Sequence, residues 1–545
     1  KFSSPRNYLD EEEKPNMVEG LVYSIPDDQA DECLAELDIR ELTGAYARDV
    51  VEVVDIESGE AMQALLYRGT PENPNFSERA LLDLSYAAAV IAVAVGPSGR
   101  NDEYLFSLDH FMMDPIVSSA SKKLKNFHGD TETRIVADMI KALQNQHLFF
   151  LIGCGSNQHN QLLLKSKKNK SCLINGEDAH KMTEVVLCVR KEGNDKLPVR
   201  AKQLAAGSGH SALLTECGKL YLWGWNEAHQ LGRSSYSIDH QHENLPIPVV
   251  PKLLDIVVDR VALGFSHTLL IEKYTGKLWA FGSNDRGQVC CNSKVSPIKN
   301  PTIQFPEMKF VDASAGLFHS AAITEDGALV TFGCNRFGQT LPQKSNPWRP
   351  EDSRLIRVAC GRRHTIMLDE DGRVWSLGDN KYGQLGRKVG NKSNQPAPIE
   401  GVLGDKGSSC FDICCGWSHC IASVRGNGKD MEGTQLFGWG RNDKGQLGLG
   451  ISEDDVSTAC MIPNDVPSIS AVVCGSESTM VVDRNAKIWG CGWNEHGNIG
   501  AGHIMDTLLM TPSTGARPVA PTPSGGNSEV LIAAGGAHVI ALRNV

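Results

Sequence analysis

The sequence predicts a multidomain protein in which a small α+β domain is followed by an all-β seven-bladed propeller. Two short motifs recur along most of the 545 residues. In the first, a glycine precedes a histidine (once a serine) by three residues; its seven glycines are Gly207, Gly264, Gly316, Gly361, Gly416, Gly475 and Gly535. The second is Gly-x-Asn, with its seven asparagines at Asn157, Asn226, Asn284, Asn335, Asn380, Asn442 and Asn494. A repeat of about 45 to 60 residues is typical of a β-propeller.

One repeat illustrates the strands that we expect in each blade. An apolar run from Ile356 to Cys360 ends just before Gly361, and a second run spans Thr365 to Leu368. The segment Asp369-Glu370-Asp371-Gly372 is a hairpin signal, and Val374 to Gly378 follows as a third strand. One such repeat cannot bury its own apolar faces. Stacking the repeats around an axis buries those faces and covers the strand edges.

The two ends of the repeat region complete one another. Residues 149–162 carry the second half of a repeat without a first half, and residues 529–542 carry a first half without a second. Together they predict a blade that closes the ring with strands from both ends of the region. We therefore predict seven blades over residues 148–545 and assign residues 1–147, which lack the repeat, to a different domain.

The first domain begins with a predicted strand and helix. Residues 18–26 form a short apolar strand that ends at a proline, and acidic residues follow where a helix dipole favours them. Four apolar residues then share one helix face: Ala30, Cys33, Leu34 and Leu37. The same spacing continues to Glu41 before Gly44 ends the helix. A carboxylate at a core-facing position is either half of an ion pair or a catalytic acid or base, and the spacing alone leaves both open.

Four distinctive segments of this domain carry a family resemblance. They are Tyr23 to Pro26, Leu37 to Tyr46, Ala64 to Asn75 and Gly96 to Phe106. In this order, from about residue 18 to 145, they resemble the ChaC-like γ-glutamylcyclotransferases, enzymes of glutathione breakdown. The resemblance implies that the α-amine of the γ-glutamyl group attacks its own γ-carbonyl and releases 5-oxoproline and Cys-Gly. It implies no metal and no cofactor, because nucleophile and electrophile share one molecule.

The same resemblance implies which residues form the active site. Glu41 matches the family's catalytic carboxylate, which would carry a proton from the attacking amine to the leaving nitrogen. Ser98, Gly99 and Tyr104 are implied as pocket residues, although a loop turn and a core aromatic explain the same pattern. Glu32 is implied at the same site, with a solvated helix acid as the alternative.

One expected feature of the family is missing. Its first strand carries a Tyr-Gly-Ser-Leu loop that cradles the γ-glutamyl group, and no match to this loop precedes Val18. The sequence begins at Lys1 without an initiator methionine. We therefore expect an amino-terminal truncation, rather than a domain that is an inactive relic.

The repeat region resembles the regulator-of-chromosome-condensation repeat. The segments that carry this resemblance are Trp223 to Asn226, Tyr382 to Gly386 and Trp439 to Gly448. Gly490 to Gly497 resembles the last blade of the secretion-regulating guanine nucleotide exchange factor branch. The resemblance implies a partner-binding propeller, in some members an exchange factor for small GTPases. We interpret the repeated histidines as structural, since catalytic groups are not copied around a ring.

The composition disfavours two classes of binding partner, nucleic acids and membranes. The net charge is −11, so we expect phosphate backbones to be repelled and nucleic acid binding to be disfavoured. The one basic run, residues 165–170, is interpreted as a solvated loop. No apolar stretch reaches the roughly 18 residues of a membrane span and no charged-then-apolar leader is present, so no membrane partner is expected.

The 16 cysteines are scattered rather than spaced as a disulfide framework. Several are predicted inside apolar strands: Cys334, Cys360 and Cys474. Reduced, buried thiols are typical of a cytoplasmic or nuclear protein, and we favour the cytoplasm. One cluster invites a zinc site: Cys410, Cys414, Cys415, His419 and Cys420. We predict no metal there, because the paired Cys-x-x-Cys of a closed site is absent and the thiols follow the strand pattern.

Two functions therefore compete at the level of sequence. The first is a glutathione-degrading lyase fused to a partner-binding propeller. The second is a non-enzymatic propeller that acts as a small-GTPase exchange factor or scaffold, with a purely structural first domain. A faulty joining of two neighbouring genes is a third explanation, which the short connection at residues 144–147 neither supports nor excludes.

Overall fold

The computed structural model describes residues 46–54, 61–69, 95–96, 99–100, 146–163, 178–190, 200–232, 256–289, 293–426, 433–452, 455–463, 466–515 and 530–543. Several predictions lie outside these residues. They are the strand and helix between residues 18 and 44 and the basic run 165–170. The predicted domain bounds, 1–147 and 148–545, stay a prediction.

Four strands are described in the first domain. Strand β1 (Tyr46–Val54) pairs antiparallel with β2 (Ala61–Gly69), in register from Tyr46 opposite Gly69 to Val54 opposite Ala61. Strand β3 (Val95–Gly96) pairs antiparallel with β4 (Gly99–Arg100). The β1–β2 hairpin includes part of the segment around Leu65 that carries the resemblance to the cyclotransferases.

The remaining strands follow the repeat. In chain order they are β5 (Gln146–Gly155), β6 (Ala179–Arg190), β7 (Ala201–Ala206), β8 (His210–Thr215), β9 (Leu220–Gly224), β10 (Val258–Leu263), β11 (His267–Glu272), β12 (Leu278–Gly282), β13 (Ile298–Gln304), β14 (Phe310–Ala315), β15 (His319–Thr324), β16 (Leu329–Gly333), β17 (Leu355–Cys360), β18 (His364–Asp369), β19 (Val374–Asp379), β20 (Lys392–Pro398), β21 (Cys410–Cys415), β22 (His419–Arg425), β23 (Thr434–Gly440), β24 (Val456–Met461), β25 (Ile469–Cys474), β26 (Ser478–Asp483), β27 (Ile488–Gly492), β28 (Thr507–Pro512), β29 (Val530–Ala534) and β30 (His538–Arg543). A short 3-10 helix spans Gln343–Ser345.

These strands form seven antiparallel sheets, which confirms the predicted seven blades. Blade 1 is β7–β9, blade 2 is β10–β13, blade 3 is β14–β16, blade 4 is β17–β20, blade 5 is β21–β24, blade 6 is β25–β28, and blade 7 is β29, β30, β5 and β6. The three strands predicted between Ile356 and Gly378 are β17, β18 and β19.

Blade 7 closes the ring with strands from both ends of the repeat region, as predicted. Its order is β29-β30-β5-β6. Strand β30 pairs antiparallel with β5, from His538 opposite Gly155 to Leu542 opposite Leu151. Residues far apart in the chain therefore share one ladder, so the ring stays closed only while both ends are docked.

The apolar core lies between neighbouring blades. One cluster combines Ile366 and Leu368 of blade 4 with Ile413, Ala422 and Trp439 of blade 5. Trp439 is fully buried, and its Nε1 donates to the backbone oxygen of Gln384 at 3.1 Å. Each blade thus buries its faces against the next one, which is the physical reason that the repeat needs a ring.

The sequence predicted that three cysteines lie inside strands, and the structure confirms two of them. Cys360 and Cys474 end strands β17 and β25, as predicted. Cys334 does not lie in a strand, because it occupies the loop position between Gly333 and Asn335 directly after β16. The 11 cysteines whose side chains the structure describes are free thiols. Among the described residues, no helix has the length and apolar character needed to cross a membrane.

Candidate functional site

Strand register brings both sequence motifs to one end of the propeller. In each blade, the residue that ends the first motif faces the glycine that starts the second one. These pairs are His210–Gly224, His267–Gly282, His319–Gly333, His364–Gly378, His419–Gly440, Ser478–Gly492 and His538–Gly155. The loops that carry the two motifs therefore emerge together, and we name this end the loop face.

A buried hydrogen-bond relay on the inner side of these loops joins neighbouring blades. Nε2 of His210 in blade 1 lies 3.3 Å from Oγ1 of Thr268 in blade 2. That hydroxyl donates to the backbone oxygen of Gln230 at 2.8 Å. The arrangement, which we name the blade latch, recurs as His267–Ser320–Gln288, His319–Thr365–Gln339, His419–Thr479–Gln446 and His538–Ser211–Gln161.

The latch fixes the protonation of its histidines. Because the Thr268 hydroxyl donates its hydrogen to the backbone oxygen of Gln230, its oxygen accepts a hydrogen bond from Nε2–H of His210. Burial is the main cause that lowers the pKa of His210 to about 3, so the imidazole stays neutral. Its Nδ1 has no hydrogen-bond partner among the described residues. These neutral, buried rings hydrogen-bond one blade to the next, which agrees with the structural interpretation of the repeated histidines.

The boundary between blades 6 and 7 lacks the latch. Ser478 stands in place of the histidine, Asn498 in place of the glutamine and Val539 in place of the hydroxyl residue. The side-chain amide of Asn498 donates to Oγ of Ser478 at 3.4 Å instead, within blade 6. All three latch positions therefore carry other residues at the boundary next to blade 7, the blade that closes the ring.

Local sterics explain the glycine that begins the first motif. A Cβ on Gly361 would lie 2.0 Å from Cε1 of His364, because the imidazole folds back over that position. The asparagine of the second motif is structural as well. Oδ1 of Asn226 accepts from the backbone nitrogen of Leu231 at 2.9 Å, and this bond recurs in the equivalent loops. The motif residues thus fix the conformation of the loops, and the side chains at the positions between them are available to contact other molecules.

One sector of the loop face combines cations with aromatic rings. We name it the basic–aromatic patch; its members are Arg336, Phe337, Arg362, Arg363, Lys381, Tyr382, Trp417 and Arg441. The guanidinium of Arg363 lies 4.1 Å from the ring centre of Phe337, and that of Arg362 lies 4.9 Å from the ring of Trp417. Arg441 lies 5.3 Å from the ring of Tyr382. The patch runs across blades 3, 4 and 5.

Most cations of this patch have no ion-pair partner among the residues that the structure describes. Arg441 is ion-paired with Asp443 and Glu477. Within the described part of the chain, no carboxylate forms an ion pair with Arg336, Arg362, Arg363 or Lys381. Arginine and aromatic side chains are the residues most enriched at the energetic centres of protein interfaces. A local excess of cations in a chain of net charge −11 therefore indicates a surface for an acidic partner.

The propeller axis holds a cavity of about 310 Å³. Its wall is built from the first strand of every blade and from the glycine that follows it. Arg362 and Trp417 line its mouth on the loop face, and Cys360, Cys415 and Cys474 line its side. The basic–aromatic patch is therefore continuous with the opening of the axial cavity.

The active-site residues predicted from the sequence are not tested by this geometry. Glu32, Glu41, Ser98 and Tyr104 lie outside the described residues. Gly99 lies in β4, where it pairs with Gly96 across the ladder. The basic–aromatic patch was not predicted, because no motif marks it. The signal available in the sequence was the cations and aromatics at the variable positions inside the two repeated motifs.

Comparison with known families matches both parts of the chain. The RCC1-like domain family matches residues 150–542, and the ChaC-like protein family matches residues 8–137. The chain is 29% identical over 371 residues to the secretion-regulating guanine nucleotide exchange factor of Mus musculus, which covers 63% of this chain and 75% of that protein. It is 29% identical over 324 residues to the ultraviolet-B receptor UVR8 of Arabidopsis thaliana, 56% of this chain and 70% of the receptor.

Solved structures share the propeller fold. Human WBSCR16 aligns with a TM-score of 0.56 at 20% identity and covers 73% of this chain and all of that one. Prp20p of Saccharomyces cerevisiae, described with its binding to Gsp1p and histones, aligns with a TM-score of 0.54 at 18% identity, over 73% of this chain and 92% of that one. At these identities the similarity concerns the fold alone.

Proposed function

Because the chain belongs to the RCC1-like domain family over residues 150–542, we propose that its propeller is a protein-binding module attached to a glutathione-degrading lyase. The observation that carries the lyase is the match of residues 8–137 to the ChaC-like protein family. We propose Glu41 as the catalytic acid and base, because the sequence resemblance implies that it corresponds to the family's catalytic carboxylate. The reaction class is a γ-glutamylcyclotransferase, which converts glutathione to 5-oxoproline and Cys-Gly.

In the proposed reaction one carbon–nitrogen bond replaces another. Glu41 removes a proton from the α-amine of the γ-glutamyl group, and that nitrogen attacks the γ-carbonyl carbon. The amide bond to the cysteine nitrogen then breaks, and Glu41 delivers the proton to that leaving nitrogen. Holding the γ-glutamyl chain in a folded conformation is the main task of the pocket, because the reacting atoms belong to one substrate.

The test is release of 5-oxoproline from glutathione by the full-length protein. We expect turnover that is lost in Glu41→Gln and kept in the matched control Glu36→Gln. Glu36 is predicted to lie on the same helix but off its apolar face. Absence of turnover in a folded full-length protein would remove the lyase proposal. Equal activity in the Glu41 variant would instead remove the role of that residue.

We propose an acidic protein segment as the ligand of the propeller. The guanidinium groups of Arg362 and Arg363, which have no ion-pair partner among the described residues and lie over aromatic rings, support this choice. Aromatic stacking holds such groups in place and lowers the entropy cost of docking a carboxylate against them. In this scheme the propeller brings the lyase to a partner, or brings a partner to the lyase.

A second candidate function is nucleotide exchange on a small GTPase. The similarity to the secretion-regulating guanine nucleotide exchange factor, spanning 75% of that protein, supports it. The discriminating experiment is release of a fluorescent guanine nucleotide from a panel of small GTPases. Acceleration that persists in Glu41→Gln would favour exchange by the propeller. No acceleration across the panel, together with glutathione turnover, would favour the lyase with a binding module.

A further inference from the structure

One blade latch differs from all the others in its chemistry. At the boundary of blades 4 and 5, the residue that follows the latch histidine of blade 5 is Cys420. At this position five other blades carry a hydroxyl: Ser211, Thr268, Ser320, Thr365 and Thr479. Nε2 of His364 lies 3.1 Å from Sγ of Cys420, which in turn lies 3.5 Å from the backbone oxygen of Gln384. A thiol has therefore replaced the hydroxyl within an otherwise unchanged relay.

A second thiol faces the first one across the blade 5 ladder. Cys415 in β21 is the register partner of Cys420 in β22, and their sulfur atoms lie 3.8 Å apart. Nε2 or Nδ1 of His364 and the two sulfurs all lie within 4.8 Å of one another. Blade 4 offers a natural comparison, because Cys360 occupies the position of Cys415 there but faces the hydroxyl of Thr365. Among the described residues, only the His364 site joins an imidazole to two facing thiols.

In contrast to the sequence-based prediction of no metal at the cysteines of this blade, we propose that His364, Cys415 and Cys420 form a zinc site between blades 4 and 5. Two thiolates and one imidazole are soft ligands that Zn²⁺ accepts at a tetrahedral centre. With Zn–S bonds of about 2.3 Å, two sulfurs of such a centre lie about 3.8 Å apart. The observed sulfur–sulfur distance is 3.8 Å. The nitrogen–sulfur distance of 3.1 Å must lengthen by about 0.5 Å to reach the value for mixed ligands.

Charge neutrality selects zinc over monovalent copper. His364 and Cys420 are fully buried, so a net charge at the site carries a large desolvation cost. Zn²⁺ with two thiolates and a neutral imidazole has no net charge, whereas Cu⁺ with the same ligands leaves one negative charge. Binding releases the two thiol protons to solvent, and the metal–sulfur bonds replace the two S–H bonds.

The axial cavity would let the ion reach the site and would hold a water molecule as the fourth ligand. Cys415 lines this cavity of about 310 Å³, which is roughly ten times the volume that one water occupies in the liquid. A water on the cavity side would complete the coordination. Nδ1 of His364 has no hydrogen-bond partner among the described residues, so the ring lacks the outer contact that usually supports a metal-bound histidine. We therefore expect weaker binding than at a closed four-residue site.

The experiment uses the full chain, stripped with a chelator and kept reduced. Zinc stoichiometry is measured by mass spectrometry after equilibrium dialysis, and Co²⁺ is added as a spectroscopic probe. We expect one zinc per chain, and for Co²⁺ the sulfur-to-metal charge-transfer and intense visible bands of a tetrahedral thiolate site. Binding of neither ion would overturn the proposal. Binding of Cu⁺ without Zn²⁺ or Co²⁺ would overturn the choice of metal.

Two variants remove the cysteine ligands by introducing residue types that other blades carry at the equivalent positions. Cys420→Thr restores the hydroxyl latch of the other blades, and Cys415→Ala copies Ala206, Ala315 and Ala534 at the equivalent positions. Both variants should fold without metal and lose zinc affinity by more than about tenfold. Replacing a residue that only supports a metal ligand already costs about tenfold, so removal of a ligand itself should cost more. A melting curve without metal checks their folding. Unchanged affinity in both folded variants would overturn the site.

Matched controls come from neighbouring thiols. Cys360→Ser changes the equivalent cysteine of blade 4, and Cys414→Ser removes one member of the Cys414–Cys474 pair, whose sulfurs lie 3.1 Å apart. Both controls should keep zinc binding. Loss of zinc in Cys414→Ser, with binding retained in Cys420→Thr, would move the metal to the other thiol pair and contradict the assignment.

Discussion

Nε2 of His319 in blade 3 lies 3.0 Å from Oγ1 of Thr365 in blade 4. The Thr365 hydroxyl donates in turn to the backbone oxygen of Gln339, at 3.1 Å. The Thr365 hydroxyl of blade 4 therefore makes hydrogen bonds to two groups of blade 3, the His319 imidazole and the Gln339 backbone oxygen. This contact, repeated around the ring, shows how a short motif that each repeat carries becomes a bond between repeats.

We expect His319→Ala to destabilise the propeller by about 2–4 kcal/mol. The substitution leaves the buried hydroxyl of Thr365 with one partner fewer and opens a cavity at a fully buried ring. Chemical denaturation of the full chain measures the free energy of unfolding. The control is Tyr274→Ala, at a side chain that is 77% exposed, where we expect a change below about 0.5 kcal/mol. Equal effects of the two substitutions would contradict the role of the latch.

The latch also predicts loss of stability in mild acid. Burial is the main cause that lowers the pKa of His267 to about 3 and that of His319 to about 4. Below the ordinary histidine value of about 6.5, the unfolded chain binds protons that these folded rings do not. The folded state is therefore penalised as pH falls from 6.5 towards the folded pKa, by up to about 1.4 kcal/mol per pH unit for each ring.

Unfolding free energies at several pH values between about 8 and 5 test this expectation. In His319→Gln the slope of unfolding free energy against pH should fall by about one proton relative to the wild type. The plateau above pH 7 serves as the internal control, since both proteins carry neutral histidines there. A slope that is unchanged by the substitution would show that this ring titrates equally in the folded and unfolded chains.

We expect the ring to open first between blades 6 and 7. Ser478, Asn498 and Val539 replace all three latch groups at this boundary, and blade 7 itself is closed by strands from both ends of the repeat region. Hydrogen exchange should therefore report lower protection for β29 than for β14, whose blade has a blade latch at both of its boundaries. Uniform protection of the seven inner strands would contradict this expectation.

Restoring the missing latch should increase the protection of β29 against hydrogen exchange. Ser478→His combined with Val539→Thr rebuilds the imidazole–hydroxyl pair, and Gly475 already stands at the position over which the ring must fold. We expect slower exchange of β29 by roughly fivefold or more, equivalent to about 1 kcal/mol for one recovered hydrogen bond. Val539→Thr alone is the control, because it buries a hydroxyl without its histidine and should give no gain.

Substitutions in the basic–aromatic patch should reduce binding without reducing stability. We expect Arg362→Ala to weaken binding of a fluorescent glutamate-rich peptide by about tenfold, which corresponds to about 1.4 kcal/mol. The control is Arg425→Ala, since Arg425 also lies over an aromatic ring, that of Phe411, but at the opposite end of blade 5. Equal loss in both variants would indicate a general charge effect rather than a defined surface.

Sequence alone determined the architecture of the propeller. The motif spacing predicted seven blades, and the two half-repeats at the ends predicted how blade 7 closes, because each blade must bury apolar faces that it cannot bury alone. The predictions for the first domain rest on family motifs, and Glu41 lies outside the described residues.

Only the tertiary structure decided which side chains meet between blades. Sequence proximity had grouped His419 with Cys415 and Cys420, whereas the fold brings His364 from the preceding blade to these thiols. Likewise, Arg362 and Trp417 stand 55 positions apart and stack across a blade boundary. A repeat pattern fixes what each blade contains. The angular position of one blade against the next fixes what its side chains contact.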